Sequence, residues 1–260
     1  MQRRKFLGTV GVAGAAAMGA MAETAGAADA PKKQYLELRL YRCDAGAMRE
    51  RLEKFLGEVA IPAWNRAGVK PVGVFGMMDE KSADLYVLLP HESIESFAAA
   101  PHRVWADAEY QQAGAALLDA PKNEPGYKRI ESSLMLAFDG VPKVEVPTKK
   151  DTRIFQLRIY ESHCAERATR KIEMFNTGGE LAVFRATGMN PVFFGQSLIG
   201  TKLPNLTYML GFEDPDAKEA AWKTFGAHPD WKKLRADPKY KNTVSAITNI
   251  MLRPADCSQI

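Results

Sequence analysis

Two periodicities alternate along the chain, and their order predicts its elements. Over residues 35–41, Leu36, Leu38 and Leu40 fall on one face and Glu37, Arg39 and Tyr41 on the other. That is the two-residue period of a strand with one strongly apolar side. Residues 46–67 switch to helical spacing, with Met48, Leu52, Phe55, Leu56, Val59 and Trp64 forming an apolar stripe. Pro62 is expected to end or kink the last part of this helix, and Gly68 to cap it. Residues 72–78 and 84–89 read as strands joined by a polar turn. Residues 92–99 and 103–118 read as helices split at Pro101, and 130–138 as a closing strand. The order β-α-β-β-α-β is that of a ferredoxin-like unit.

The same order then repeats. Leu38-Arg39-Leu40-Tyr41 returns as Leu157-Arg158-Ile159-Tyr160, and Gly68-Val69-Lys70-Pro71-Val72 as Gly188-Met189-Asn190-Pro191-Val192. Tyr86-Val87-Leu88 matches Tyr208-Met209-Leu210, and Ala106-Asp107-Ala108-Glu109-Tyr110 matches Ala236-Asp237-Pro238-Lys239-Tyr240. Matches in one order with a slowly growing offset are the mark of a duplicated domain. The second copy is predicted to have strands at 154–160, 191–198, 206–212 and 246–252, and helices at 165–186, 217–225 and 230–240. The domains run 34–138 and 153–254, with a Pro-containing polar linker at 139–152 and a tail at 255–260. A four-stranded antiparallel sheet covered by helices on one side must bury its other face. Two copies can do so by packing sheet on sheet, which gives an α+β chain of two tandem ferredoxin-like domains paired within one molecule. If the leucines of residues 35–41 pack on the helices, Arg39 and Arg158 point into the space between the sheets.

Residues 1–30 read as an address. Arg3-Arg4-Lys5 precedes Phe6-Leu7 and a Gly/Ala-rich stretch, and small residues at Ala20-Met21-Ala22 and Ala25-Gly26-Ala27 suit cleavage. The paired arginines resemble a twin-arginine signal, which implies passage through the Tat translocon and a periplasmic or secreted location. Removal through Ala27 leaves 32 basic and 30 acidic residues. A charge so near neutral excludes a nucleic-acid partner. Lys232, Lys233, Arg235, Lys239 and Lys241 are interleaved with Asp230 and Asp237, as on a solvated helix face.

The candidate ligand-binding residues are Arg39, Tyr41 and Glu37, with Arg158, Tyr160 and Gln156 at the matching places of the second copy. A buried guanidinium needs acceptors. Two readings fit these residues: a satisfied polar network that fixes the pairing of the domains, or an anchor for an anionic or carbonyl group. The phenols of Tyr41 and Tyr160 could donate to a ligand oxygen or sit half-buried against backbone. His91, His102, His163 and His228 have no zinc spacing, so no metal is expected. His102 and His228, near Trp105 and Trp231, are the candidates for an axial haem ligand; otherwise no cofactor is predicted. Cys43, Cys164 and Cys257 are an odd number, and a Cys43–Cys164 bridge stays open. Trp64/Phe184, Phe75/Phe194 and Trp105/Trp231 read as core.

The opening Leu-Arg-x-Tyr strand, the long helix, Gly-x-x-Pro-Val, the hairpin and Asp-x-x-Tyr on the last helix resemble the NIPSNAP family. Exported tandem forms ending Ser-Gln-Ile are similar, and here the end is Ser258-Gln259-Ile260. The resemblance implies a dimeric α+β barrel, here closed within one chain, and carries no agreed catalytic set. It leaves a module that binds a small, partly apolar ligand or takes part in assembly, with a homo-oligomer among its forms, as the leading expectation. The rivals are a cofactor-independent monooxygenase or haem-dependent enzyme of the same barrel type, and a structural subunit.

Overall fold

The structure is a computed structural model and describes residues 32–79 and 82–260. The expected signal segment lies outside the described residues. Eight strands form one closed antiparallel barrel: β1 (Tyr35–Arg42), β2 (Gly73–Met77), β3 (Leu85–His91), β4 (Arg129–Ala137), β5 (Ile154–Glu161), β6 (Asn190–Ile199), β7 (Asn205–Phe212) and β8 (Ala246–Pro254). Their order around the barrel is β1-β3-β2-β8-β5-β7-β6-β4. Each repeat supplies four adjacent strands, and the two sheets zip edge to edge at β2–β8 and β4–β6. Closure leaves neither sheet with an unpaired edge. The helices α1 (Ala47–Phe55), α2 (Ile61–Arg66), α3 (Ile94–Trp105) and α4 (Ala108–Leu118) belong to the first repeat. The helices α5 (Ala165–Phe175), α6 (Glu180–Ala186), α7 (Pro215–Ala227) and α8 (Pro229–Ala236) belong to the second.

Closure decides which strand face goes where. Leu36, Leu38, Phe75, Leu88, Phe155, Leu157, Val192, Phe193 and Met209, from both repeats, share one cluster inside the barrel. Phe75 and Phe155 meet there edge to face across the two copies at 4.9 Å. The leucines of β1 therefore point into the barrel, and Glu37, Arg39 and Tyr41 face the helices. This reverses the placement of Arg39 and Arg158 expected from the leucines packing on helices. The physical reason is desolvation: two guanidinium groups in a dry, shared barrel would lack water and counter-ions. Between sheet and helices, aromatic faces and a carboxylate can meet them.

Four boundaries differ from expectation; one is the helix expected over 230–240, which stops at Ala236, with a separate 3-10 turn at Pro238–Tyr240 capped by Asp237. The helix 46–67 is not ended by Pro62. A π-helical turn (Leu56–Ala60) precedes it, and Pro62 then sits in the first turn of α2, where a missing N–H costs little. Helix α3 runs through Pro101 and ends at Trp105. The break falls at Asp107, whose side chain accepts from Tyr110 N and caps α4. The long helix expected over 165–186 is two helices: α5 leaves helical geometry at Asn176, and Gly179, with a left-handed φ of 95°, caps the start of α6. Residues beyond β8 are held in place. Gln259 N donates to Val72 O at 2.9 Å, Ala255 N donates to Val74 O at 2.9 Å, and Ile260 is buried in the barrel cluster.

Candidate functional site

The strand register shows what each repeat places between its sheet and its helices. Arg39 lies opposite Val87 on β3, and Arg158 lies opposite Tyr208 on β7. The counterpart of Tyr208 is therefore Val87. The triplet match Tyr86-Val87-Leu88 with Tyr208-Met209-Leu210 is off by one residue, and such a slip moves a side chain to the other face. Tyr86 packs in the barrel, whereas Tyr208 packs against the helices. By the same register Phe194 answers to Val74, and Phe212 to His91. Counted from the matching caps Ser93 and Asp214, Trp222 answers to Pro101 and Phe225 to Val104.

In the second repeat these aromatics fill the space. Phe194 stacks on Tyr208 with centroids 4.6 Å apart, and Phe175, Phe184, Trp222 and Phe225 close around them. Tyr208 donates to the Tyr160 hydroxyl at 2.9 Å, and burial pushes the Tyr208 phenol well above its ordinary range. Gln156 donates to Asn249 and accepts from the Trp222 indole at 2.7 Å. Arg158 lies over the rings of Trp222 and Tyr160, at 4.8 and 5.3 Å, and its buried Nε has no partner. Lys171 donates to Glu180 at 2.6 Å, both buried. Arg158, Tyr160 and Gln156 thus belong to a packed layer.

In the first repeat Pro101 and Val104, at the places of Trp222 and Phe225, border a cavity of about 330 Å³. Arg39, Tyr41 and His91 face it from the strands, and Trp64, Tyr110 and Tyr127 are among its aromatic walls. Trp105, 60% exposed, and Ile130, 39% exposed, stand at the rim. Tyr127 meets the Tyr41 ring edge to face at 5.5 Å. Glu37 lies behind this lining. Its carboxylate accepts from Arg39 Nε at 2.7 Å, Arg39 Nη2 at 3.0 Å and Ser132 Oγ at 2.9 Å. Arg39 lies over the Trp64 ring at 5.6 Å and interacts with the Tyr41 hydroxyl beside it. Burial works against the Glu37 anion, but His91, Arg39 and Ser132 outweigh it and hold the carboxyl down at about 2. Burial pushes the Tyr41 phenol up, opposed by Arg39, and burial takes Tyr110 to about 12.

Sequence reasoning passed over His91. It is 2% exposed, its Nε2 faces Glu37 Oε2 at 3.6 Å, and its Nδ1 has no hydrogen-bond partner among the described residues. The signal was available: Leu85, Val87, Leu89 and His91 share one parity on β3, so His91 faces the helices as Arg39 does. Tyr110 and Tyr127 lie on a helix and a loop, and only the tertiary fold brings them in.

The other candidates sit elsewhere. His102 is exposed on α3, and His228 borders a separate groove and caps α8. The three cysteines are free thiols, Cys43 buried and Cys164 exposed. Among the described residues no three His, Cys, Asp or Glu side chains cluster as a metal site would require. Trp64, Phe184, Phe75 and Phe194 are core, as expected, although Phe75 and Phe194 serve opposite faces. Trp105 is at the cavity rim.

The NIPSNAP family pattern matches residues 36–138 and again 155–259. Among solved structures the chain is similar to a monooxygenase-like protein of Fusobacterium nucleatum, with a TM-score of 0.57 at 8% identity over 86% of this chain and 93% of that one. A monooxygenase-like protein of Lactobacillus acidophilus gives 0.57 at 8% over 85% and 94%. An anthrone oxidase-like protein gives 0.50 at 12% over 87% and 93%. At such identities the likeness is one of fold. No curated protein sequence matches the chain.

Proposed function

Since the chain belongs to the NIPSNAP family and carries its domain twice, we propose that the first repeat is the working copy, a module that binds a small, partly apolar molecule bearing an oxygen function. The second repeat is its filled, structural partner. One observation carries this reading. The helix-side positions that are Phe194, Tyr208, Trp222 and Phe225 in the second copy are Val74, Val87, Pro101 and Val104 in the first. Of these, Pro101 and Val104 line the cavity that Arg39, Tyr41 and His91 face from the strands, while Val74 and Val87 are fully buried in the core of that repeat. A concave, mostly aromatic space with a few convergent polar groups is the usual form of a small-molecule site. The Arg39 guanidinium and the Tyr41 hydroxyl would donate to the ligand oxygen, while Trp64, Val104 and Leu117 would hold its apolar part. Export by the twin-arginine route belongs to the same proposal and rests on Arg3-Arg4 before Phe6-Leu7.

Haem suits these residues poorly. The histidines considered for it, His102 and His228, do not line the cavity, and His91 turns Nε2 toward a carboxylate. A cofactor-independent oxygenase is the second reading. It would use the same cavity, and the buried Glu37–His91 pair favours it.

The test is a native mass spectrum of the protein purified from its producing cells, beside a Val104→Phe variant that copies the second repeat. A small organic mass on the wild type that is missing from the variant supports the reading. A bare chain in both, with no thermal stabilisation of the wild type by a panel of phenols and ketones, refutes it.

A further inference from the structure

The charges around the cavity restrict its ligand. Arg39 is already neutralised by Glu37 through two hydrogen bonds. A carboxylate ligand would therefore add an uncompensated negative charge to a half-buried site. A neutral hydroxyl would not. His91 adds a second feature, since it lines the cavity, is almost fully buried, turns Nε2 toward Glu37 at 3.6 Å, and has no hydrogen-bond partner on Nδ1 among the described residues. An imidazole with a free acceptor nitrogen and a carboxylate beside it is arranged to take a proton, because the resulting cation is matched by the anion next to it.

The titratable groups around His91 are few. They are Tyr35, directly opposite His91 on β1, then Glu37, Arg39 and Tyr41 on the same strand, Tyr110 on α4 and Tyr127 in the loop before β4, while α3 presents the Phe97 ring at 5.3 Å. Glu37 is the one carboxylate among them.

Resting on the ligand-binding reading above, we propose that this cavity takes a neutral molecule with an acidic hydroxyl on an aromatic or enolic frame, and that His91 removes its proton. The O–H bond breaks, its electron pair stays on the ligand oxygen, and an N–H bond forms on the imidazole. Two ion pairs result, the ligand oxyanion with Arg39 and the imidazolium with Glu37. The net charge of the site is the same before and after, so the transfer leaves no unpaired charge in a poorly hydrated place. Glu37 acts as a positioning residue, since it touches His91 and not the ligand.

The probe is 4-nitrophenol, whose oxyanion absorbs visible light while the neutral form does not. It is titrated against the full chain across pH, and against His91→Phe, which carries the residue the second repeat has at this place. The bound probe is expected to be at least about tenfold more acidic than the free one, and the variant is expected to bind it without that gain. Calorimetry in buffers of different ionisation enthalpy should show no proton passed to the buffer when the wild type ionises the probe. A gain in acidity that survives in His91→Phe overturns the role of His91, as does a proton released to buffer. Binding without any gain overturns the proton transfer and leaves the binding reading intact. Failure of both proteins to bind any phenol overturns both.

Discussion

The Glu37 carboxyl should give this protein an acid-sensitive share of stability that one substitution removes. Folded, it titrates at about 2, against an ordinary value of 4.5. A carboxyl depressed in the folded state contributes stability that is present above the unfolded value and is lost as pH falls through the folded one. The window is therefore from about pH 5 down to about pH 2. The full contribution is about 3 kcal/mol, of which about 2 kcal/mol is gone by pH 3. Solvent screening discounts this little, since the Glu37 side chain is 7% exposed. Other carboxylates also titrate in this range, so the contrast to measure is wild type against Glu37→Gln. The second repeat shows that glutamine is tolerated beside the arginine, as Gln156 beside Arg158. Urea unfolding followed by tryptophan fluorescence at pH 7 and pH 3 gives the two stability differences. The wild type should lose about 2 kcal/mol more than the variant between these values. Equal losses would refute the reasoning, because Glu37 would then have the same proton affinity folded and unfolded.

Three further outcomes follow from the packing. Val104→Phe adds apolar carbons to an existing cavity and should leave the fold neutral or more stable by up to about 2 kcal/mol, read as an unchanged or raised melting temperature. Lys171→Met leaves Glu180 buried without its cation and should cost about 3 kcal/mol in urea unfolding, most of it recovered in the double variant with Glu180→Leu. Deleting Ile260 opens the barrel cluster and removes the carbonyl that accepts from Arg153, and should lower stability by about 2 kcal/mol; calorimetric melting of the truncated chain checks this.

Much of the fold was legible because period and repetition are local properties. The alternation in β1, the helical stripe from Met48 to Trp64 and the twin Leu-Arg-x-Tyr strands fix the elements and their duplication. What stayed hidden was which face turns inward, since that depends on the two sheets closing into one barrel. Leu36 and Leu38 are apolar enough for either side, and only the shared interior with Phe155 and Leu157 decides. The candidate site was half legible. Glu37, Arg39 and Tyr41 stood out by alternation, and they do meet. The asymmetry of the copies did not stand out, because aligning Tyr86 with Tyr208 matches letters and misses the register. Once His91 is set against Phe212, and Pro101 and Val104 against Trp222 and Phe225, the open and filled halves explain themselves. Pro101 misled in a similar way: it reads as a break, yet its smallness where the other copy has Trp222 is what matters to the cavity.

The most direct test of the unequal repeats is a crystal of the full chain soaked with 4-iodophenol and measured for anomalous scattering from iodine. The account predicts one strong peak inside the first repeat, with the phenol oxygen turned toward Arg39 and His91, and no matching peak beside Tyr208 and Phe194. A peak of equal height in both repeats, or an empty first cavity with iodine elsewhere, would contradict it.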